Sequence, residues 1–447
     1  MRKDTKYKFN ITNFRKSGSL FLEGMRPLMY SEILAQQKGI GWHRVGEDTA
    51  YYQTPCIGRR AMTMRTNNGK GDQSNYTFTF SIRFPYLNSG DKCYLAYHYP
   101  FTYSDLMNHI HSIEKNPQRA IHMRRQTLCQ TIAGNTVDLI TITSFSGTGV
   151  GKGKESIYTT EQIKARRGVV ITGRVHPGES GASFMIQGLM DFLTGNTMDA
   201  KILRDNFVFK IVPMLNPDGV INGNQRINLA GFDLNRQWIS PQKRTAPTIY
   251  ATKQMIKRFV EDRDVILFCD FHAHSRKRNQ KEGTARQVIW REFGIINSFT
   301  LECSNCGASC GRFIGIHFTP SLEMDMGKKF ADTLLDYCDP DQTVVAQQSN
   351  FNQFLHQKQF FNNKIREIPK ETSKEKEKDK EKEKTQRVQN KAKTKNKLIH
   401  PASAHSKLID KEKPHDHISG HKQSPPVSSA PLIFYPSIGT YLSLPRE

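Results

Sequence analysis

The sequence predicts an α/β protein with a small β-rich part in front of it and a disordered tail behind. Three observations predict this. From about residue 101, short β-branched runs alternate with helical apolar spacing, the pattern of an α/β sheet. Residues 1–100 read instead as strands and turns. From about residue 366 the chain becomes "KETSKEKEKDKEKEKTQRVQNKAKTKNK", low-complexity sequence that cannot build a core. The expected boundaries are therefore 1–100 for the β-rich domain, 101–345 for the α/β domain and 346–447 for the tail.

The elements follow in order. In "YTFTFSIRF" (76–84), aromatic and branched residues alternate with smaller or polar ones, the period of a half-buried strand, and "LNSGDK" supplies turn chemistry after it. This part carries no obvious catalytic cluster. "TVDLITITSF" (136–145) and "RGVVITGRVH" (167–176) are strand-like. "SGASFMIQGLMDFLTG" (180–195) has helical spacing and ends on glycine. "NFVFKIVPMLNPDG" (206–219) and "DRDVILFCDFHAH" (262–274) are strands again. The chemistry-bearing residues fall just after these strands, where α/β sheets place their ligands.

Composition narrows the class. The 447 residues allow two or three domains, and 37% apolar content is low for a chain that folds throughout. No run of about 18 apolar residues occurs, so no membrane span is expected, and "MRKDTKYKFN" lacks the apolar core of a signal peptide. Eight scattered cysteines read as reduced thiols of a cytosolic protein. Cys303, Cys306 and Cys310 look like a metal loop, but no fourth ligand sits at a matching spacing, so ordinary thiols are expected there too. A net charge of +23 suggests an acidic partner, although much of the lysine lies in the tail.

The chemistry centres on "ITGRVHPGES". It sets His176 and Glu179 three residues apart, with rigid Pro177 and permissive Gly178 between them. A strand-end loop followed by a first helical turn can aim an imidazole and a carboxylate at one point, and zinc takes both, with three protein ligands in catalytic sites. Alone, the pair also fits a polar turn. A third ligand is expected at another strand end. "CDFHAHS" offers His272 and His274 on one face of a strand, and spacing leaves the choice open. Asp270 is placed to orient an imidazole from behind. Glu302, at the end of the apolar run "NSFTLEC", is a candidate general base. Arg226 is a candidate oxyanion partner. Asn235 and Arg236 suit a terminal carboxylate, which a guanidinium matches with two hydrogen bonds. Each of these cations also fits a surface salt bridge.

Read together, "RVHPGES", "NPDGV", "GNQR", "DLNR", "DFHAHSRKRN" and "WREFGIINSFTLE" resemble, in order, the cytosolic carboxypeptidases of the M14 zinc metallocarboxypeptidase family. "FNITNFRKSGSLFLEGMRPLMYSE" and "YHYPFTYSDL" resemble the β-sandwich that precedes the catalytic domain there and the join between the two. The likeness covers roughly residues 7 to 335. It implies a mixed sheet with helices on both faces, one zinc ion per chain, and His176, Glu179 and His272 as its ligands. It further implies Glu302 as general base, Arg226 polarising the scissile carbonyl, and Asn235 with Arg236 gripping the terminal carboxylate. The implied activity is removal of glutamates from protein C-termini and side chains, with polyglutamylated tubulin as substrate and a cytoplasmic location at microtubules or cilia. Arg286 and Arg291 are candidates to meet the substrate's glutamate side chain.

Two departures from the family pattern are expected to matter. The strands that should precede "KYKFNITNF" are absent, so the β-sandwich reads as truncated. The segment between "DFHAHSRKRN" and "WREFG" is shortened around 279–283, which predicts a missing sheet element. Two rival readings follow: a catalytically inactive zinc-binding form that holds acidic tubulin tails, and a nucleic-acid-binding protein acting through its basic tail. Against the second, the lysine run is interleaved with glutamate and no aromatic-basic motif accompanies it.

Overall fold

The computed structural model describes residues 5–54, 75–84, 86, 90–145, 158–274, 283–309 and 311–338. Its first part contains β1 (Lys6–Phe14), β2 (Leu28–Ser31), α1 (Glu32–Lys38), β3 (His43–Arg44), β4 (Glu47–Gln53), β5 (Tyr76–Arg83) and β6 (Cys93–Ala96). These strands form two antiparallel three-stranded sheets, in the orders β1-β5-β4 and β3-β2-β6. Phe78, Phe80 and Ile82 point into a core with Leu20, Phe21 and Met25, and Phe21 stacks on Phe78. The other face of β5 is not the solvent face that its alternation predicts. Thr77, Thr79 and Ser81 are buried as well, and Thr79 is bonded to Asn10 and Tyr52 of the flanking strands. Hydroxyls satisfied by their neighbours can be buried at little cost.

The second part contains α2 (Tyr103–Lys115), α3 (Pro117–Ala120), β7 (Met123–Gln130), β8 (Thr136–Ile142), α4 (Thr160–Ala165), β9 (Arg167–Gly173), α5 (Ser180–Leu193) and α6 (Met198–Asn206). It continues with β10 (Phe207–Val212), α7 (Pro217–Ile221), α8 (Pro247–Asp262), β11 (Val265–His274), α9 (Ala285–Phe293), β12 (Ser298–Ser304) and α10 (Pro320–Cys338). The six strands run in the order β12-β11-β9-β10-β8-β7. β12, β11, β9 and β10 run parallel to one another, while β8 pairs antiparallel with both β10 and β7, so the sheet is mixed as expected.

Alternate strand residues serve two cores, which is what puts helices on both faces. Ile171, Phe209 and Phe271 pack with Met185 and Leu189 of α5 and Leu334 of α10. Val170, Val208 and Phe268 pack with Ile256 of α8 and Ile289 of α9. α5 and α10 touch backbone to backbone. A Cβ on Gly188 would run into the Met324 carbonyl, and one on Gly327 into the Met185 carbonyl. Only glycine permits that approach, so α5 is gripped along its length.

The strands stop earlier than their apolar runs suggest. β9 ends at Gly173 because Arg174 adopts a left-handed backbone (φ 53°) that turns the chain out of the sheet. β10 ends at Val212, and Asn216 caps α7 by accepting from the Gly219 amide. On its outer side β12 pairs with no further strand among the described residues. Most of the shortened junction and the whole expected tail from 346 lie outside the described residues. None of the described helices is long and apolar enough to cross a membrane.

Candidate metal centre

Three side chains converge at the ends of β9 and β11. His176 follows the Arg174 turn, Glu179 sits at the N-cap of α5, and His272 lies near the end of β11. One ligand atom from each lies within 4.8 Å of the others, and all three residues are buried. Glu179 is central, with Oε1 2.8 Å from His176 Nδ1 and Oε2 2.9 Å from His272 Nδ1. Among the described residues no other such group of histidine, cysteine, aspartate or glutamate occurs. His274, the alternative on the same strand, is not part of it. Gly178 brings the loop against the backbone of Gln225, whose carbonyl accepts its amide at 2.9 Å. A Cβ there would press on that same oxygen.

The far nitrogen of each imidazole is held by a second carboxylate. Asp270 Oδ2 lies 2.6 Å from His272 Nε2, and Asp233 Oδ1 lies 3.1 Å from His176 Nε2. This assigns the ring proton to Nε2 in both residues and leaves the Nδ1 lone pairs facing the centre. His176 Nδ1 is a buried atom without a hydrogen-bond partner, because its approach to Glu179 is off hydrogen-bonding geometry. Burial alone would raise the Glu179 carboxyl, but His176 and His272 outweigh it and hold the group well below its usual range. Burial likewise pulls His272 down, and Asp270 and Glu179 more than reverse it. Two oriented imidazole nitrogens, one orphaned, and one ionised carboxylate make a donor set that fits zinc.

The family model described as "Zinc carboxypeptidase" matches residues 110–279. That span contains the three candidate ligands His176, Glu179 and His272, as well as Arg226, Asn235 and Arg236. Human cytosolic carboxypeptidase 2 is 40% identical over 389 residues, covering 77% of this chain. Cytosolic carboxypeptidase 3 of Bos taurus is 40% identical over 386 residues and 76% of the chain. The chain belongs to the zinc carboxypeptidase family. It spans 40% of the length of the human cytosolic carboxypeptidase and 36% of the bovine one. The 389 matched positions exceed 77% of 447, so the human carboxypeptidase has positions within the match that this chain lacks. Among solved structures, a metallo-carboxypeptidase from Burkholderia cenocepacia superposes with a TM-score of 0.55 at 20% identity. It covers 74% of this chain and 86% of its own, a likeness of fold.

Within this carboxypeptidase fold the remaining predicted residues take definite places. Arg226 lies 4.0 Å from Glu179 through Nη1, while its Nε and Nη2 are held by Asp233 at 2.8 and 2.6 Å. Asn235 is buried beside His272. Its Oδ1 accepts the Ala285 amide at 3.0 Å, and its Nδ2 lies 3.4 Å from His272 Nε2, a nitrogen whose proton already goes to Asp270. Arg236 follows on the same short turn and donates to the Asn235 carbonyl. Glu302 is in register with His272 across the parallel β11–β12 ladder, so the two side chains leave the same face of the sheet. Glu302 is half-buried where His272 is buried. Arg286 and Arg291 both lie on α9, roughly 140° apart around it, so a single substrate side chain cannot meet both. Arg291 is exposed in the last turn. Cys303 is buried against Glu323 and Met326, Cys306 lies by the Glu23 carbonyl, and Cys310 is outside the described residues.

Three contributors lie inside the quoted motifs "DLNR", "RVHPGES" and "YHYPFTYSDL", but motif spacing gives them no role. Asp233 joins His176 to Arg226. Arg174 is buried and donates to the Pro177 carbonyl, Ser183 Oγ and the Phe101 carbonyl at 2.8, 2.8 and 3.1 Å. Its guanidinium, pulled down to about 10 by burial, keeps its charge at neutral pH. His98 approaches Ser180 Oγ at 3.0 Å and Glu323 at 3.2 Å, so the join between the two parts touches the residue next to Glu179.

Proposed function

We propose that this chain is a zinc-dependent carboxypeptidase that releases glutamate from protein C-termini or side chains, with polyglutamylated tubulin as its substrate. The observation that carries the reading is the convergence of His176 Nδ1, Glu179 and His272 Nδ1, each imidazole backed by its own carboxylate. Zinc in such a site supplies Lewis acidity, polarising a carbonyl and lowering the pKa of water. Glu302 accepts the proton of the attacking water at its carboxylate and returns it to the departing nitrogen. Arg226 donates to the carbonyl oxygen as charge develops there, oriented for this by Asp233. Asn235 and Arg236 bind the terminal carboxylate, which restricts the enzyme to chain ends. The family's established preference, as implied by the motif resemblance, and the basic chain support an acidic substrate. The names of the relatives support a cytoplasmic location, and a tubulin substrate would bring the protein to microtubules or cilia.

The test is glutamate release from a polyglutamylated peptide together with zinc content. About one zinc per chain with release is expected, and Glu302→Gln should abolish release while zinc stays bound. Undiminished turnover in Glu302→Gln overturns the role of Glu302. Zinc without any release by the native chain overturns the enzyme reading in favour of a binding protein.

A further inference from the structure

On the face of the sheet covered by α8, that helix does not close over the β7–β8 edge. A groove of about 1260 Å3 remains between them. Its lining includes both the first and the last residue of α8, Pro247 and Asp262, so it runs roughly 24 Å. None of its lining residues belongs to the metal centre. Leu139, Val208 and Phe259 give it an apolar floor, and Lys210 is set into that floor.

Lys210 is out of place by every local rule. It interrupts "FVFKIV" of β10, an inner strand whose other five residues are all buried. Its ammonium donates to Thr141 Oγ1 at 2.9 Å and lies 5.8 Å from the Phe259 ring. No carboxylate pairs with it among the described residues, and burial pulls its pKa down. Asp262 acts on it only from beyond ion-pair distance, against the nearby Arg263, and a half-buried ammonium without a close counter-charge is costly unless something else supplies one. The rest of the lining points the same way. Lys243, Arg244 and Arg258 stand along the groove with no ion-pair partner among the described residues. The single carboxylate in the lining, Asp262, is taken by Arg263 at 2.7 Å.

The positions of the cations favour one kind of ligand. Lys243 and Arg244 precede α8, whereas Arg258 is in its last turns, roughly 20 Å away. A single compact anion reaches one end only. A linear polyanion reaches both, and aliphatic stems on it would cover the apolar floor. We propose that the groove is a second binding site for an extended acidic peptide segment of roughly seven residues. It deepens the function proposed above and rests on that reading for the identity of the substrate, giving the acidic chain an anchor remote from the scissile end.

The experiment uses the full chain and a fluorescein-labelled 15-residue polyglutamate, with the triple variant Lys243→Glu, Arg244→Glu, Arg258→Glu. The tail lysines are common to both proteins, so the difference reports the groove. Polyglutamate should bind the variant at least roughly tenfold more weakly. KM for a long polyglutamylated substrate should rise in proportion with kcat unchanged, while a di-glutamate substrate is turned over as before. Lys210→Met, which keeps the stem, should weaken polyglutamate binding in the same direction with a melting temperature no lower than native. Equal binding and equal KM in native and triple variant overturn the groove while leaving glutamate release intact. Loss of polyglutamate binding in the variant of a chain that releases no glutamate upholds the groove and overturns the proposed function. Single-stranded RNA of equal charge that binds as tightly, and is lost in the same variant, overturns the peptide assignment.

Discussion

Asp270 stands 2.6 Å behind His272, two residues earlier on the same strand, and is itself held by Thr172 Oγ1 of the neighbouring strand at 2.7 Å. The imidazole therefore cannot rotate without breaking its hydrogen bond to Asp270, a carboxylate that β9 fixes in place through Thr172, and its Nδ1 stays aimed at Glu179. Sheet and ligand are one mechanical unit at this point.

Replacing Asp270 by asparagine keeps the shape but removes the charge that selects the Nε2 proton. Zinc affinity should fall by about 10- to 100-fold, measured by competition with a chromogenic chelator. An unchanged affinity would show that the carboxylate does not orient the ligand.

Asp233 and Arg226 separate by the same assay. Asp233→Asn loosens both His176 and Arg226, so zinc affinity and kcat should both drop. Arg226→Gln should leave zinc affinity near native and lower kcat by roughly 10²- to 10³-fold. Loss of zinc in Arg226→Gln would move that residue from transition-state stabilisation to support of the ligands.

Arg174 combines a strained backbone with three buried hydrogen bonds. Arg174→Ala orphans the Pro177 and Phe101 carbonyls and keeps the left-handed turn, and should destabilise by about 3 kcal/mol or more. Arg174→Gly loses the same bonds but relieves the turn, and should be less destabilised by about 1 kcal/mol. Urea midpoints of the two variants check the order; a reversed order would mean that the turn is unstrained.

His122 gives a pH signature. Burial, helped by Arg204, lowers its pKa to about 4, below the ordinary value near 6.5. Between those values the unfolded chain binds more protons than the folded one. The His122 contribution is therefore complete above about pH 6.5 and is lost as pH falls toward 4. His122→Gln should flatten the fall of the urea midpoint across that window. An identical slope in native and variant would place the acid sensitivity elsewhere.

Much of the centre was legible because its members sit in short, spaced motifs at strand ends: His176 with Glu179, and His272 with Asp270 behind it. The partners that were not legible act across long chain separations. Asp233 meets His176 from a different loop, and His98 meets Ser180 from the other part of the molecule. Spacing carries no trace of such contacts. Strand ends were overrun for a related reason: Val175 is as apolar as the residues of β9, and only the backbone at Arg174 takes it out of the sheet. Lys210 was passed over because one lysine scarcely disturbs an apolar run.

The two contacts at the join set the portability of the catalytic part. His98 reaches the residue after Glu179, and the Phe101 carbonyl takes a hydrogen bond from Arg174. A graft that begins at α2 would transfer all three candidate metal ligands and leave behind both restraints on the loop that presents two of them. The smallest transplantable unit therefore starts at or before His98, inside what the sheet pattern alone would assign to the preceding domain.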